Sequence, residues 1–255
     1  MFPIMTTVAT RYAPIVTWSL ILVNTIVFLG EIALPAGAQQ AFLQHYALIP
    51  ARFFHPDWAA NHGVGRAMYL PFISNIFLHG GWLHLIMNMW ALYIFGPPVE
   101  DRLGGTRFLA FYMLCGIGAS AAHAYVNAGS IIPALGASGA IAGVMGAYIR
   151  LFPRSRMLVM VPIFIFPFFF EIYAALFIGI WIAIQLVQGV GGLMSGMAAL
   201  SGGIAWWAHI GGFSLGWLAV GIIRHGDHIY RAYHRDEGVL GFLPNGQRTG
   251  KGPWL

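Results

Sequence analysis

Charge is what this sequence has least of: 8% of its 255 residues are charged, and only 8 are acidic. Soluble domains carry roughly a quarter charged residues, so a soluble globular fold is excluded. So few acids leave no paired carboxylates at catalytic spacing, which excludes an aspartyl-type mechanism. A single cysteine, Cys115, rules out an intrachain disulfide; between Leu114 and Gly116 it reads as a packing residue. Basic patches interleaved with aromatics are missing, so nucleic acid is not an expected partner. No internal repeat is evident, which argues against an inverted-repeat transporter.

What the chain has in abundance is apolar length. Hydrophobic residues make up 58% of it, and its mean hydropathy is +0.72. Apolar runs fall at about 14–34, 70–96, 107–127, 137–151, 157–188 and 204–223. Crossing a bilayer takes about 20 helical residues, so the expectation is an all-α membrane protein with six transmembrane helices. Of 13 basic residues, all but Arg52 and Arg66 fall on one side of that arrangement. Basic residues collect on the cytoplasmic side, which puts both termini there and reads the net charge of +5 as topology. The expected organisation is a cytoplasmic N-terminus at 1–11, a six-helix membrane domain at 12–224 and a polar cytoplasmic tail at 225–255. A bacterial inner membrane is the expected location. A cleaved leader ending at "LPAGA" is disfavoured, because its apolar run is long and its removal leaves an odd number of spans.

Three connections stand out. Residues 35–69 form a long, aromatic-rich loop, expected to hold short amphipathic pieces at the outer interface. The segment "MLVMVPIFIFPFFF" (157–170) carries Pro162 and Pro167 and, joined to the next run, overshoots a bilayer. It is expected to be an extended interfacial stretch feeding a fifth span from near Glu171. The glycine-rich "GVGGLMSGMAALSGG" (189–203) is expected to be a pliable outer loop.

Polar side chains inside spans are costly and mark function by default. Depth can be counted at about 1.5 Å per residue from the cytoplasmic ends. Ser138 lies 12 residues before Arg150, His209 lies 15 before Arg224, and Asn88 and His84 lie 12 and 16 before Glu100. These separations place all four roughly 18 to 24 Å up, at one level below the outer surface. His84 and Asn88, four apart, share a helix face. Gly136, Gly139 and Gly143 surround Ser138, and Gly211, Gly212 and Gly216 follow His209, so the two helices can approach closely.

A serine hydroxyl becomes nucleophilic when a neighbouring base takes its proton. The free N–H groups opening the fourth span, with Asn88 and His84, can supply donors to a developing oxyanion. Glu31 and Glu171 are the only acids near span interiors and sit at the wrong levels, so a Ser–His dyad is expected rather than a triad. His123, 16 residues above Arg107, passes the same depth test, and spacing does not choose between it and His209 as base.

These residues resemble a known family, the rhomboid intramembrane serine proteases. The resemblance rests on "GASG" at 136–139, "HGGWLHLIMN" at 79–88, "AHIGG" at 208–212 and "VEDRLG" at 99–104, in family order over about residues 12 to 225. It implies a six-helix rhomboid bundle with Ser138 as nucleophile, His209 rather than His123 as base, and Asn88, His84 and the Ser138 backbone as the oxyanion hole. It implies transmembrane protein substrates cut in or near their spans, within the lipid bilayer, and neither a metal nor an organic cofactor. Some members place a tyrosine four residues after the serine, stacked on the histidine; here that position is Ala142, and Trp206 or Trp207 is expected to pack the ring instead. The intact site positions argue against an inactive, derlin-like member.

Two rivals remain at this stage. One is a non-catalytic rhomboid-like protein that holds membrane clients; the other is a transporter or metal site built from His79, His84, His123 and His209. His79 reads as a structural residue at the outer surface. His225, His228 and His234 read as part of a solvated tail. A polar cavity open to the outside above Ser138 is expected, because water must reach it.

Overall fold

The structure is a computed structural model that describes residues 2–61, 69–164, 166–194 and 205–223. The 225–255 tail, with His225, His228 and His234, lies outside the described residues, as do 195–203 of the glycine-rich segment. Helices dominate: α1 (Ile15–Ala33), α2 (Ala36–Tyr46), α3 (Ala51–Phe54), α4 (Pro56–Asn61), α5 (Pro71–Ser74), α6 (Trp82–Leu103), α7 (Gly105–Val126), α8 (Ser138–Leu151), α9 (Ala174–Met194) and α10 (Trp206–Ile223). Among the described residues, α1, α7, α9 and α10 are long and apolar enough to cross a membrane. The protein is a membrane protein.

The other two long helices depart from the expected spans for identifiable reasons. Helix α6 begins at Trp82, not near 70, because residues 71–77 are taken up by α5 and a 3-10 turn. Within it His84, Asn88, Pro97 and Pro98 lower its hydropathy, and at its far end it runs into Glu100, Asp101 and Arg102. Helix α8 has only 14 residues, about 21 Å. Its residues from Gly139 to Tyr148 are all buried, so it is a central helix screened by its neighbours rather than a lipid-facing span.

The all-α expectation needs a correction. Strands β1 (Phe2–Thr6), β2 (Arg156–Ile163) and β3 (Phe166–Tyr173) form an antiparallel sheet in the order β1-β2-β3. The 157–170 segment is extended as expected, but as a hairpin. Its β-branched and aromatic residues favour a pleated ladder. Its β3 arm delays the next helix to Ala174. The first residues are no free tail: β1 pairs with β2, and Trp90 Nε1 donates to the Pro3 carbonyl at 2.7 Å. Helix α9 also runs to Met194, so 189–194 is helical, with Gly189 set against Trp206 and Trp207.

Two devices set the bundle around α8. In "VEDRLG" Glu100 caps the start of α1 and Asp101 holds the segment that leads into it. Glu100 accepts from Val16 N at 2.9 Å and from Thr17 N and Oγ1 at 2.7 Å each. Asp101 accepts from the N–H groups of Arg11 and Tyr12, both at 3.0 Å. Carboxylates fit a helix N-terminus because its first N–H groups lack intrahelical partners.

The second device is glycine. Helices α8 and α10 run parallel with their backbones in contact: a Cβ at Gly212 would collide with the Gly139 carbonyl, and one at Gly216 with that of Gly143. On its other side Gly143 meets Cys115, whose Cβ would stand 2.5 Å from an added methyl. Cys115 is therefore a packing residue, as its neighbours imply. At the lower end Arg150 Nη1 donates to the Trp217 carbonyl at 2.7 Å, with the guanidinium 4.5 Å from the indole centroid. In a membrane such close packing replaces hydrophobic burial as the force between helices. A side chain forced into this seam, as in Gly216→Val, is expected to cost about 1–3 kcal/mol, read as a lower thermal midpoint in detergent. An unchanged midpoint would contradict the seam.

Candidate active site

Ser138 is the first residue of α8, and His209 lies in the first turn of α10. The seam brings these two helix starts side by side. Ser138 Oγ lies 2.8 Å from His209 Nε2, hydrogen-bond distance for hydroxyl to imidazole. His123 does not compete for this contact. It faces Asn127 across 3.4 Å at the end of its own helix, so of the two histidines that spacing left open, His209 is the one in contact with Ser138.

The other face of the imidazole is held by a residue the sequence reading missed. His209 Nδ1 lies 2.7 Å from Gln185 Oε1, on α9. Gln185 is buried, and its Nε2 donates to the Trp181 carbonyl at 3.1 Å. With the amide NH₂ committed to that carbonyl, the amide oxygen accepts from Nδ1–H. That arrangement suits the tautomer with Nδ1–H toward Gln185, in which Nε2 is free to accept a hydrogen bond from the serine hydroxyl. Counted 11 residues up from Ala174, where α9 begins, Gln185 stands roughly 16 Å in, close to the level of Ser138. The depth count reaches it once amides are considered beside acids as orienting groups. The ring also packs on Trp181, centroids 5.5 Å apart, and edge-on to Trp206 at 6.5 Å. Of the two tryptophans expected to stand in for the missing tyrosine, Trp206 makes this contact, and Trp181 was unforeseen.

His84 and Asn88 project from α6 toward the loop before Ser138. Gly136 has φ +127, and a Cβ there would stand 2.7 Å from His84 Nε2 and 3.6 Å from Asn88 Nδ2. Only a glycine admits both this backbone and these side chains. The Gly80 N–H approaches His84 Nδ1 at 3.4 Å, which leaves Nε2–H directed to the site. Asn88 Nδ2 is buried without a protein acceptor. A buried donor left unpaired is costly, and this one faces the place where an oxyanion would form. The loop is braced from behind: Gly136 N donates to the Asn75 carbonyl at 2.9 Å, and Leu48 and Ala134 exchange backbone bonds.

A cavity of about 670 Å³ lies over this arrangement. Ser138, His209, His84 and Asn88 line its polar end, while Met87, Phe95, Ile141, Met145, Phe177 and Trp181 carry it down between α6 and α9. It is thus more apolar than the polar opening expected. His79 is buried rather than at the surface, its ring 5.1 Å from that of His84. Among the described residues, no three His, Cys, Asp or Glu side chains gather as metal ligands do.

The Rhomboid domain profile matches residues 66–226, more than half of the chain. The chain belongs to the rhomboid family. Among its relatives, Rhomboid protein 1, mitochondrial, of Saccharomyces cerevisiae is 32% identical over 153 residues, 58% of this chain and 40% of that protein. The Putative rhomboid protease YdcA of Bacillus subtilis is 37% identical over 89 residues, 35% of this chain and 44% of that protein. Presenilin-associated rhomboid-like protein A, mitochondrial, of Danio rerio is 32% identical over 116 residues, 44% of this chain and 30% of that protein. The chain spans less than half the length of these rhomboid relatives. All the candidate site residues fall inside the rhomboid match.

Gly136→Ala tests the donor pocket. The added methyl displaces His84 from its place, and losing one oxyanion donor typically costs a factor of about 100 to 1,000. The expected result is a fall of that order in the rate at which a fluorophosphonate labels Ser138, in protein that stays folded. A wild-type labelling rate would remove His84 from the pocket.

Proposed function

We propose that this rhomboid is an intramembrane serine endopeptidase. The observation that carries the reading is the 2.8 Å approach of Ser138 Oγ to His209 Nε2, facing the unpaired Asn88 amide. Ser138 attacks the scissile carbonyl as His209 takes its proton. The tetrahedral oxyanion is held by Asn88, His84 and the Ser138 N–H. His209 then protonates the leaving amine, giving an acyl-enzyme, and next activates the water that releases it. Family membership and the printed "protease" of the Bacillus relative support this reading. The site's own chemistry calls for no cofactor or metal.

Substrates are transmembrane proteins, reached through the bilayer. On this reading α1, α6, α7, α9 and α10 cross it around the shorter central helix α8, with both termini cytoplasmic. A bacterial inner membrane is proposed on the strength of the basic-residue asymmetry. The mitochondrial names of two relatives favour an organellar membrane as the second reading. A substrate helix must unwind locally to offer its carbonyl, because helical backbone is fully hydrogen-bonded.

Gln185 is the positioning residue of this mechanism: it holds His209 without touching substrate. The dyad expected from the scarcity of acids is on this reading a Ser–His pair oriented by Gln185, with a neutral amide where serine hydrolases often hold a carboxylate.

Two measurements follow. In liposomes holding a single-span test protein with a glycine-rich span, Ser138→Ala should lower cleavage by a factor of about 1,000 or more without unfolding. Cleavage near the wild-type rate would end the protease reading and favour a client-binding protein. For Gln185→Leu the expected loss is in kcat, roughly 10-fold or more, with KM unchanged. Gln185→Glu, which keeps an acceptor at the same reach, should restore most of it. Equal losses in both variants, or a change confined to KM, would contradict the positioning role.

A further inference from the structure

Strand β1 has a place in this structure that the proposed reaction does not use: it forms part of the wall of the cavity over Ser138. Pro3 is buried and lines that space, and Trp90, which lines it too, donates from its indole Nε1 to the Pro3 carbonyl at 2.7 Å. Two helices reach the same space, α6 through Met87, Ala91 and Phe95, and α9 through Phe177 and Trp181. They pack chiefly on other partners, α6 on α8 and α1, and α9 on α10. The sheet bridges them: β1 packs on α6, and β3 runs directly into α9. Pro3 faces the cavity, while Phe2 and Met5 on either side of it are exposed.

The two ends of β1 are held very differently. Its base is tied several times. Thr7 N donates to the Arg156 carbonyl at 2.9 Å, and Arg156 N donates to Thr7 Oγ1 at 3.0 Å. A little further on, Asp101 holds the N–H groups of Arg11 and Tyr12. The upper end is tied lightly. The register with β2 shifts between Pro3 and Met5, so Ile4 has no rung, and such a bulge interrupts the ladder. Pro3 has no N–H to give. Toward α6 its carbonyl is held by the Trp90 indole, and one neutral hydrogen bond contributes modestly in net terms. Local opening begins where the ties are fewest, which here is the end that lines the cavity.

We infer that β1 is a strap over the side of the cavity, hinged at Thr7, which parts from Trp90 to admit the unwound segment of a transmembrane substrate. Closed, it keeps acyl chains away from the apolar end of the cavity at Phe95, Met145 and Phe177. What displaces the strap rests on the peptidase reading; the closure itself does not.

The test has one arm without catalysis and one with it. In the first, Met145→Cys places a thiol at the apolar end of the cavity in the full chain in liposomes, and Cys115, being buried, sets the background. Pyrene maleimide, delivered from the bilayer, should alkylate this thiol slowly. Deleting residues 2–6 should raise the rate several-fold, and so, to a lesser degree, should Trp90→Phe, which keeps strand and ring but removes the donor to Pro3. The second variant decides the matter if the deletion does not fold. Equal rates in all three proteins would overturn the strap.

In the second arm, Pro3→Cys with Val159→Cys locks the strap, since these residues face each other across the β1–β2 ladder, at a separation that a disulfide spans. Oxidation should lower cleavage of the single-span test protein several-fold, and reduction should restore it. A lock at the base, Thr6→Cys with Met157→Cys, should leave cleavage unchanged. Cleavage indifferent to the Pro3–Val159 lock would also overturn the strap. If Ser138→Ala cleaved like the wild type, the peptidase reading would fall while the alkylation rates still decided the strap.

Discussion

Everything at the candidate site depends on two helices whose backbones touch. Where α8 crosses α10, Gly139 and Gly143 lie against Gly212 and Gly216 with no side chain between them. Because the contact is backbone on backbone and the helices run parallel, their first turns come level. The Ser138–His209 hydrogen bond is the upper end of that seam, and the Arg150–Trp217 contact is its lower end. A serine and a histidine 71 residues apart in sequence meet because glycine leaves room for nothing else.

The short length of α8 follows from the same packing. A lipid-facing helix must satisfy its backbone across the whole hydrocarbon layer, but a central helix is relieved of this by its neighbours. With ten successive buried residues, α8 can begin partway down. Its first-turn N–H groups then open into a cavity instead of into lipid. Ser138 owes its depth and, on the proposed reading, its oxyanion donors to a helix that starts late.

Much of this was legible in the sequence because depth is a simple function of residue count. Ser138, His84, Asn88 and His209 were found that way, and the glycines pointed to the seam. Counting has no azimuth, however, so it accepted His123, whose side chain lies along α7 beside Asn127. Gln185 escaped because an amide in an apolar run was not considered as an orienting group where acids were sought. Trp181, one turn before it, escaped with it, although that tryptophan supplies much of the packing that Ala142 does not. The sheet was only half legible. The proline-punctuated aromatic run was read as extended, but its partner β1 is non-local, and nothing in residues 2–6 announces the pairing.

The account's central claim is that the oxygen of residue 138 and the ring of residue 209 share one reacting point. A peptidyl chloromethyl ketone tests it most directly, since its carbonyl takes a serine oxygen and its methylene alkylates a nearby imidazole. After incubation of the folded protein with such a reagent, peptide mapping should find Ser138 and His209 bridged by a single inhibitor. Alkylation scattered over other residues, or none in folded protein, would contradict the convergence on which the rest is built.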